Sequence, residues 1–294
     1  YLEEVHAEFA LMQQLGYDVE WLDAEAMQAQ VHSPIYTGGL WDKTGCAIVD
    51  PARLAWGLKR AAESLGVRVL PLHVVAGATS IADVPAEAER ITGLIRATMA
   101  STSQPTPGEV RDLLLALADQ GAAGIACIHL SGQLSGTYGS VRAVAADVSA
   151  ERGIPVEVVD SRTVAGALGY AVAVAGASLA AGGSMAGAVA AARECAATSR
   201  VHMSVADLRH LQRGGRLRVP QLAIGTALGI RPILEVRHGE IRVRESVRGS
   251  ARARQRLVDL ALRAAGAPKD GPREPRSRVS FAVHHVDSPG AAQA

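Results

Sequence analysis

The sequence predicts an α/β protein: a Rossmann-like parallel sheet flanked by helices, followed by a second, α+β domain. Apolar runs rich in β-branched residues, "GVRVLPLHVV", "AAGIACIHL" and "GIPVEVVDS", alternate with helical patterns, as βαβ units do. After Arg200 the alternation stops. There "RVHMSV" reads as a strand, "ADLRHLQRGG" as a helix closed by Gly214 and Gly215, and "GIRPILEVRHGEIRVRESV" as a hairpin turning at His238 and Gly239. An arginine-rich helix and a last strand, "SRVSFAVHHV", complete an α+β pattern beginning near residue 200. The length of 294 residues suits about two domains, and 48% hydrophobic residues supply their cores.

Each helix carries its own punctuation. In "STSQPTPGE", Thr106 and Glu109 form a capping-box pattern and Pro107 takes the first helical position, where a missing N–H is harmless. The helix that follows is "VRDLLLALADQG". From Thr163 to Ala192 there is no charge, yet alanine and glycine dominate where a membrane span would favour Leu, Ile and Phe. Gly182 and Gly183 end one helix and Ser184 caps the next, so this segment reads as two closely packed buried helices.

Composition excludes several function classes. An aromatic share of 3% leaves little for base stacking, and a net charge of +1 argues against a general nucleic-acid binder. Arginines are nevertheless crowded between Arg209 and Arg256, either as a solvated face or as a docking patch for an acidic or nucleotide-binding partner. Cys46, Cys127 and Cys195 are scattered and odd in number, which suits a reducing cytoplasm and suggests neither disulfides nor zinc. Gly132, Ser135 and Gly136 give Gly-x-x-Ser-Gly rather than the spacing of a nucleophile elbow, and no phosphate-binding loop with Gly-Lys-Ser/Thr occurs. A self-sufficient esterase or kinase is not expected.

Two hydroxyl-rich stretches remain. Thr102 and Ser103 precede the Thr106 cap, and "SGQLSGTYGS" follows an apolar strand. Ligands of open α/β sheets lie beyond the carboxyl ends of the strands, where helix N-termini present unpaired N–H groups. Hydroxyls and amides there suit a carboxylate, because they donate hydrogen bonds without adding a competing full charge. The alternative is that both loops only cap their own helices.

From about residue 69 onward, "TSQPTPGEV", "IHLSGQLSGTYGS", "VEVVDSRTVAGALG", "LRHLQRGGRL", "LGIRPILEVRHGEI" and a late "AVHHVDSP" occur in the order and spacing of the DegV family of fatty-acid-binding proteins, which the chain resembles. The resemblance implies two α/β domains, here 69–199 and 200–294, with a lipid tunnel. It also implies a carrier that is not itself an enzyme. Such a carrier presents one bound fatty acid to a separate ATP-dependent fatty acid kinase, which makes acyl phosphate for phospholipid synthesis. Carried over, Thr102, Ser103, Ser131, Ser135, Gly136, Thr137 and His285 rather than His284 surround the carboxylate. Arg213, Arg216 and Arg248 face the kinase or, transiently, a membrane surface, and no cofactor is implied. The family often carries a second serine where this chain has Gly132.

Residues 1–68 resemble something else. "GYDVEWLDAEAMQAQVHSPIYTGGLWDKTGCAIVDPARLAWGLKRAAESLGVRV" is similar to an internal piece of D-amino-acid-oxidase-like FAD-dependent oxidoreductases, without the glycine-rich fingerprint that holds FAD. The expectation is a chimeric or truncated chain joined near "GVRVLPLHVV" and cut soon after His285. Ala47–Val49 and Pro51–Leu65 have the periodicity of the opening strand and helix of the DegV domain, with Asp50 at the family's Asp position and Pro51 replacing its Ser. They are expected to complete the first sheet. The alternative function is a fragment of an FAD-dependent amine or amino-acid oxidoreductase fused to a lipid-binding domain.

Overall fold

The structure, a computed structural model, describes residues 62–98, 100–205, 208–217 and 229–266, with 19–31, 38–42 and His6, Phe9, Ala10 and Gln13 near the N-terminus. The expected strand at Ala47–Val49, most of the helix expected over Pro51–Leu65, the strand "SRVSFAVHHV" and His285 lie outside the described residues. The chain separates into two compact units, 1–51 with 277–294, and 52–276.

In the first unit, β1 (Val19–Asp23) leads into α1 (Ala24–Val31), and β2 (Gly38–Asp42) pairs antiparallel with β1. Asp23 opens the helix by accepting a hydrogen bond from the Ala26 amide at 2.9 Å. His6 stacks on Trp21 with ring centroids 3.5 Å apart.

The described part of the second unit opens on helical residues 62–64, the end of the helix expected there, and continues into a three-stranded antiparallel sheet, β4–β3–β5, made of β3 (His73–Ala76), β4 (Thr79–Ala82) and β5 (Ser101–Ser103). Only the end of "GVRVLPLHVV" is therefore strand, and it pairs antiparallel on both sides. Helix α2 (Ala88–Ala97) crosses between β4 and β5, with Ile91 buried against Val74 and Ile81.

The α/β centre follows in sequence. It comprises α3 (Pro107–Asp119), β6 (Ile125–His129), α4 (Thr137–Arg152), β7 (Val156–Asp160), α5 (Ala165–Ala180) and α6 (Met185–Thr198). Strands β6 and β7 are parallel, in register from Ile125 opposite Val156 to His129 opposite Asp160. A parallel pair joined by a helical crossover is buried on both faces. Here Ile125 and Cys127 pack with Val110 and Leu114 of α3 and with Val141, Ala145 and Val148 of α4. Ile128 points the other way, against α5 and α6. Those two helices meet through Ala171, Ala175, Ala188, Ala192 and Ala196, whose small side chains allow close approach. Ser184 caps α6 by accepting from the Gly187 amide at 3.1 Å, as its sequence position predicts. Among the described residues, no helix is long and apolar enough to cross a membrane.

The second sheet, β10–β9–β8, is antiparallel: β8 (His202–Ser204), β9 (Ile230–Arg237) and β10 (Glu240–Arg248). Neighbouring residues of β9 face opposite ways. Leu234 is buried with Leu208 and Leu217, which bracket α7 (Arg209–Arg213), while Ile233 is buried with Ala253 and Leu260 of α8 (Ser250–Ala264). The β9–β10 turn has φ +53 at His238 and +88 at Gly239, the left-handed pair that matches the twist of a two-residue hairpin.

Candidate functional site

The first hydroxyl stretch is set by α3 and β5. Thr106 and Glu109 make the full capping box: the Thr106 hydroxyl accepts from the Glu109 amide at 3.2 Å, and the Glu109 carboxylate accepts from the Thr106 amide at 2.7 Å. Hydrogen bonds from the Thr106 backbone and then its hydroxyl hold the Glu109 carboxyl below its ordinary range, and His73, 3.5 Å away, adds a smaller Coulombic share. Thr102 and Ser103 are not turn residues. They lie on β5, opposite Val74 and His73, and are exposed. A three-residue strand has too few positions to show a period, so nothing in its sequence marks it.

The second stretch leaves the carboxyl end of β6. Ser131 is fully buried, and its carbonyl accepts from the Leu134 and Ser135 amides at 3.0 and 3.1 Å, winding the loop into one turn. Ser135 and Thr137 share a hydroxyl–hydroxyl hydrogen bond of 2.8 Å, and the Thr137 amide donates to the Ser135 hydroxyl at 3.3 Å. Gly136 is the residue before α4 and offers no side-chain cap, so the start of this 16-residue helix faces the loop with its backbone amides.

The two stretches converge. Gln104, directly after Ser103, places its Oε1 3.1 Å from where a Cβ on Gly136 would stand. A bare Cα at Gly136 is what admits it.

Beside them, the β7 exit supplies residues that sequence reasoning missed. Asp160 Oδ1 accepts from the Gly132 amide at 3.1 Å and from the Arg162 amide at 2.9 Å. Buried Ser161 and Thr163 continue the frame, with the Thr163 carbonyl accepting from the Ser131 amide at 2.9 Å. The sequence signal was present: an Asp-Ser pair at the end of a parallel strand is a turn-forming, amide-accepting pattern. Gly132 also fits tightly, since a Cβ there would stand 3.1 Å from both Asp160 Oδ2 and Tyr138 Cδ1.

His129 ends β6 beneath the loop; burial lowers its pKa and the charge of Asp160 opposes that shift. Of the arginines expected to face a partner, Arg213 and Arg248 are exposed. Arg216 turns toward the hydroxyl loop, its Nε donating to the Leu134 carbonyl at 2.9 Å and its Nη1 to the Gly214 carbonyl. In the same region Arg242, Arg244 and Arg256 form ion pairs with Glu240, Glu235 and Glu245.

A parallel β6–β7 pair with helices on both faces, a separate antiparallel sheet and a hydroxyl loop over the carboxyl end of β6 define an α/β protein of the DegV type. The family model described as uncharacterised protein, DegV family, matches residues 57–279, and the chain belongs to that family. The model for FAD dependent oxidoreductases matches residues 1–110, overlapping the DegV match. A DegV domain-containing protein of Streptomyces coelicolor is 36% identical over 238 residues, 80% of each chain. One of Mycobacterium bovis is 34% identical over 233 residues, 78% of this chain and 77% of its own. Among solved structures, DegV of Bacillus subtilis, a fatty acid binding protein, is similar with TM-score 0.62 and 29% identity, covering 74% of this chain and 76% of that one. A fatty-acid-binding DegV family protein from Thermus thermophilus gives TM-score 0.61 and 28% identity over 72% and 75% of the two chains.

Proposed function

We propose that this protein binds a fatty acid, burying the acyl chain and holding the carboxylate at the junction of the two hydroxyl stretches. The observation that carries this reading is the contact of Gln104 with the bare Cα of Gly136, which brings the β5 exit to the start of α4. Thr102, Ser103, Ser135 and Thr137 with the Gly136 region supply donors, Ser131 stands at the root of the loop, and the family resemblance adds His285, outside the described residues, as a further carboxylate ligand. Burial of the tail contributes about 0.8 kcal/mol per methylene, so a tail of ordinary length dominates affinity. Each hydroxyl bonded to the carboxylate adds only about 1.5 to 3 kcal/mol.

The protein acts as a carrier. A separate ATP-dependent fatty acid kinase phosphorylates the presented carboxylate, giving acyl phosphate for phospholipid synthesis, and exposed Arg213 and Arg248 with nearby Arg216 offer it a basic surface. The same surface suits transient contact with an anionic membrane. In this reading residues 69–199 and 200–294 are the DegV-like α/β domain and the DegV-like second α+β domain, and 1–68 is an oxidoreductase-like fragment.

Denaturing extraction of the purified protein followed by mass spectrometry tests the reading: a stoichiometric fatty acid is expected. The match of residues 1–110 to FAD dependent oxidoreductases favours a second reading, a flavin-enzyme fragment fused to a lipid-binding domain. Flavin absorbance without extractable fatty acid would establish that one and remove the first.

A further inference from the structure

We infer that Asp160 and Arg162 are positioning residues for head-group recognition, acting through a clasp that registers the hydroxyl loop on the β9–β10 turn; this rests on the fatty-acid reading above. Five hydrogen bonds define the clasp. The Ser131 hydroxyl donates to the Gly239 carbonyl at 2.6 Å, in a buried contact. The Arg162 Nη2 donates to the His238 carbonyl at 3.1 Å. One oxygen of Asp160 joins the two donor segments by accepting from the amides of Gly132 and Arg162. At the far end of the loop, Arg216 Nε holds the Leu134 carbonyl.

Both carbonyls of the hairpin turn are thus used by side chains from the α/β centre. A hydroxyl has a single proton, so Ser131, donating to Gly239 and accepting from the Gln133 amide at 3.2 Å, sets the loop's position rather than donating to a ligand. The turn itself has little freedom. Gly239 has φ +88, and a Cβ on it would stand 2.6 Å from the Ser131 hydroxyl oxygen. Ser135 and Thr137 follow directly on a loop held at Ser131, Gly132 and Leu134. Donors aimed at a carboxylate lose their advantage when displaced by even an ångström, so loosening the clasp degrades head-group recognition while leaving the tail's contribution in place.

Arg162 tests this cleanly, because its side chain is exposed and its backbone, at φ +53, accepts glycine without strain. Delipidated full-length protein, Arg162→Gly and Arg162→Lys are compared in two ways. Hydrogen exchange of the ligand-free proteins reads the 131–135 amides against the α3 core, and binding of palmitic acid against methyl palmitate reads head-group preference. Arg162→Gly is expected to speed exchange in the loop but not in α3, and to lower the preference for acid over ester about tenfold, the worth of one charge-assisted hydrogen bond. Arg162→Lys, which keeps a charged donor, should recover both. Unchanged loop exchange, or faster loop exchange with an unchanged acid preference, overturns the inference. If the wild type binds neither palmitate form, the fatty-acid reading falls by itself; the clasp then stands or falls on loop exchange alone.

Discussion

Gln104 rests against the bare Cα of Gly136, its Oε1 3.1 Å from where a Cβ would be, and this contact joins two segments that the sequence separates by a whole helix. Gly136 itself has ordinary helical angles, φ −70 and ψ −6, so alanine meets no backbone strain there. What it meets is the flexible end of Gln104. Gly136→Ala is therefore expected to change stability by less than about 0.5 kcal/mol while displacing Gln104 from the loop. Fatty acid binding should fall more than methyl ester binding. Equal loss for both in calorimetric titrations would show that the substitution disturbs the fold instead.

The capping box of α3 has a defined pH response. Glu109 has a depressed pKa in the folded protein, so its contribution is fully present above the ordinary glutamate value and is lost as pH falls through the lower, folded value. The stability difference between wild type and Glu109→Gln should accordingly shrink below about pH 5. Thr106→Ala should cost about 1 kcal/mol at neutral pH, the usual worth of an N-cap side chain. Urea titrations at pH 7 and pH 4 measure both.

Two histidines act in the same direction for a different reason. Among the described residues, His129 Nε2 and His202 Nδ1 are buried without a hydrogen-bond partner. Burial lowers both pKa values, and at His202 the Arg244 charge lowers it further. The unfolded chain takes up these protons first, so stability is retained above the ordinary histidine value of about 6.5 and declines as pH drops below it. His129→Leu should flatten the denaturation midpoint between pH 7.5 and 5.5 relative to wild type. An unchanged slope would place the acid sensitivity elsewhere.

Cys127 packs against the core formed by α3, β6 and α4, and burial raises its pKa to about 11. Thiolate is the reactive form, and an ordinary cysteine has a pKa near 8.5, so alkylation of native Cys127 at pH 8 should be more than about a hundredfold slower than that of a free thiol. Peptide mapping after iodoacetamide treatment, with and without urea, distinguishes it from Cys195. Rapid labelling of the native protein would contradict the packing described for β6.

Local chemistry was legible in the residues themselves. Thr106 with Glu109, Ser184 before Gly187, and His238 with Gly239 each settle a backbone turn among neighbours a few positions apart, and the structure forms each where the sequence predicts it. The parallel pairing of β6 and β7 was likewise readable, because apolar strands separated by a helical period have few other ways to bury both faces. Tertiary structure decided the rest. The antiparallel β4–β3–β5 sheet rests on strands of three and four residues, too short to carry a period, so nothing local marks Thr102 and Ser103 as strand residues and packing alone places them there. The bonds from Ser131 to Gly239 and from Arg216 to Leu134 span 108 and 82 positions. No local pattern encodes such pairs, because each partner's backbone is shaped by its own neighbours and the two meet only when separately formed elements pack together.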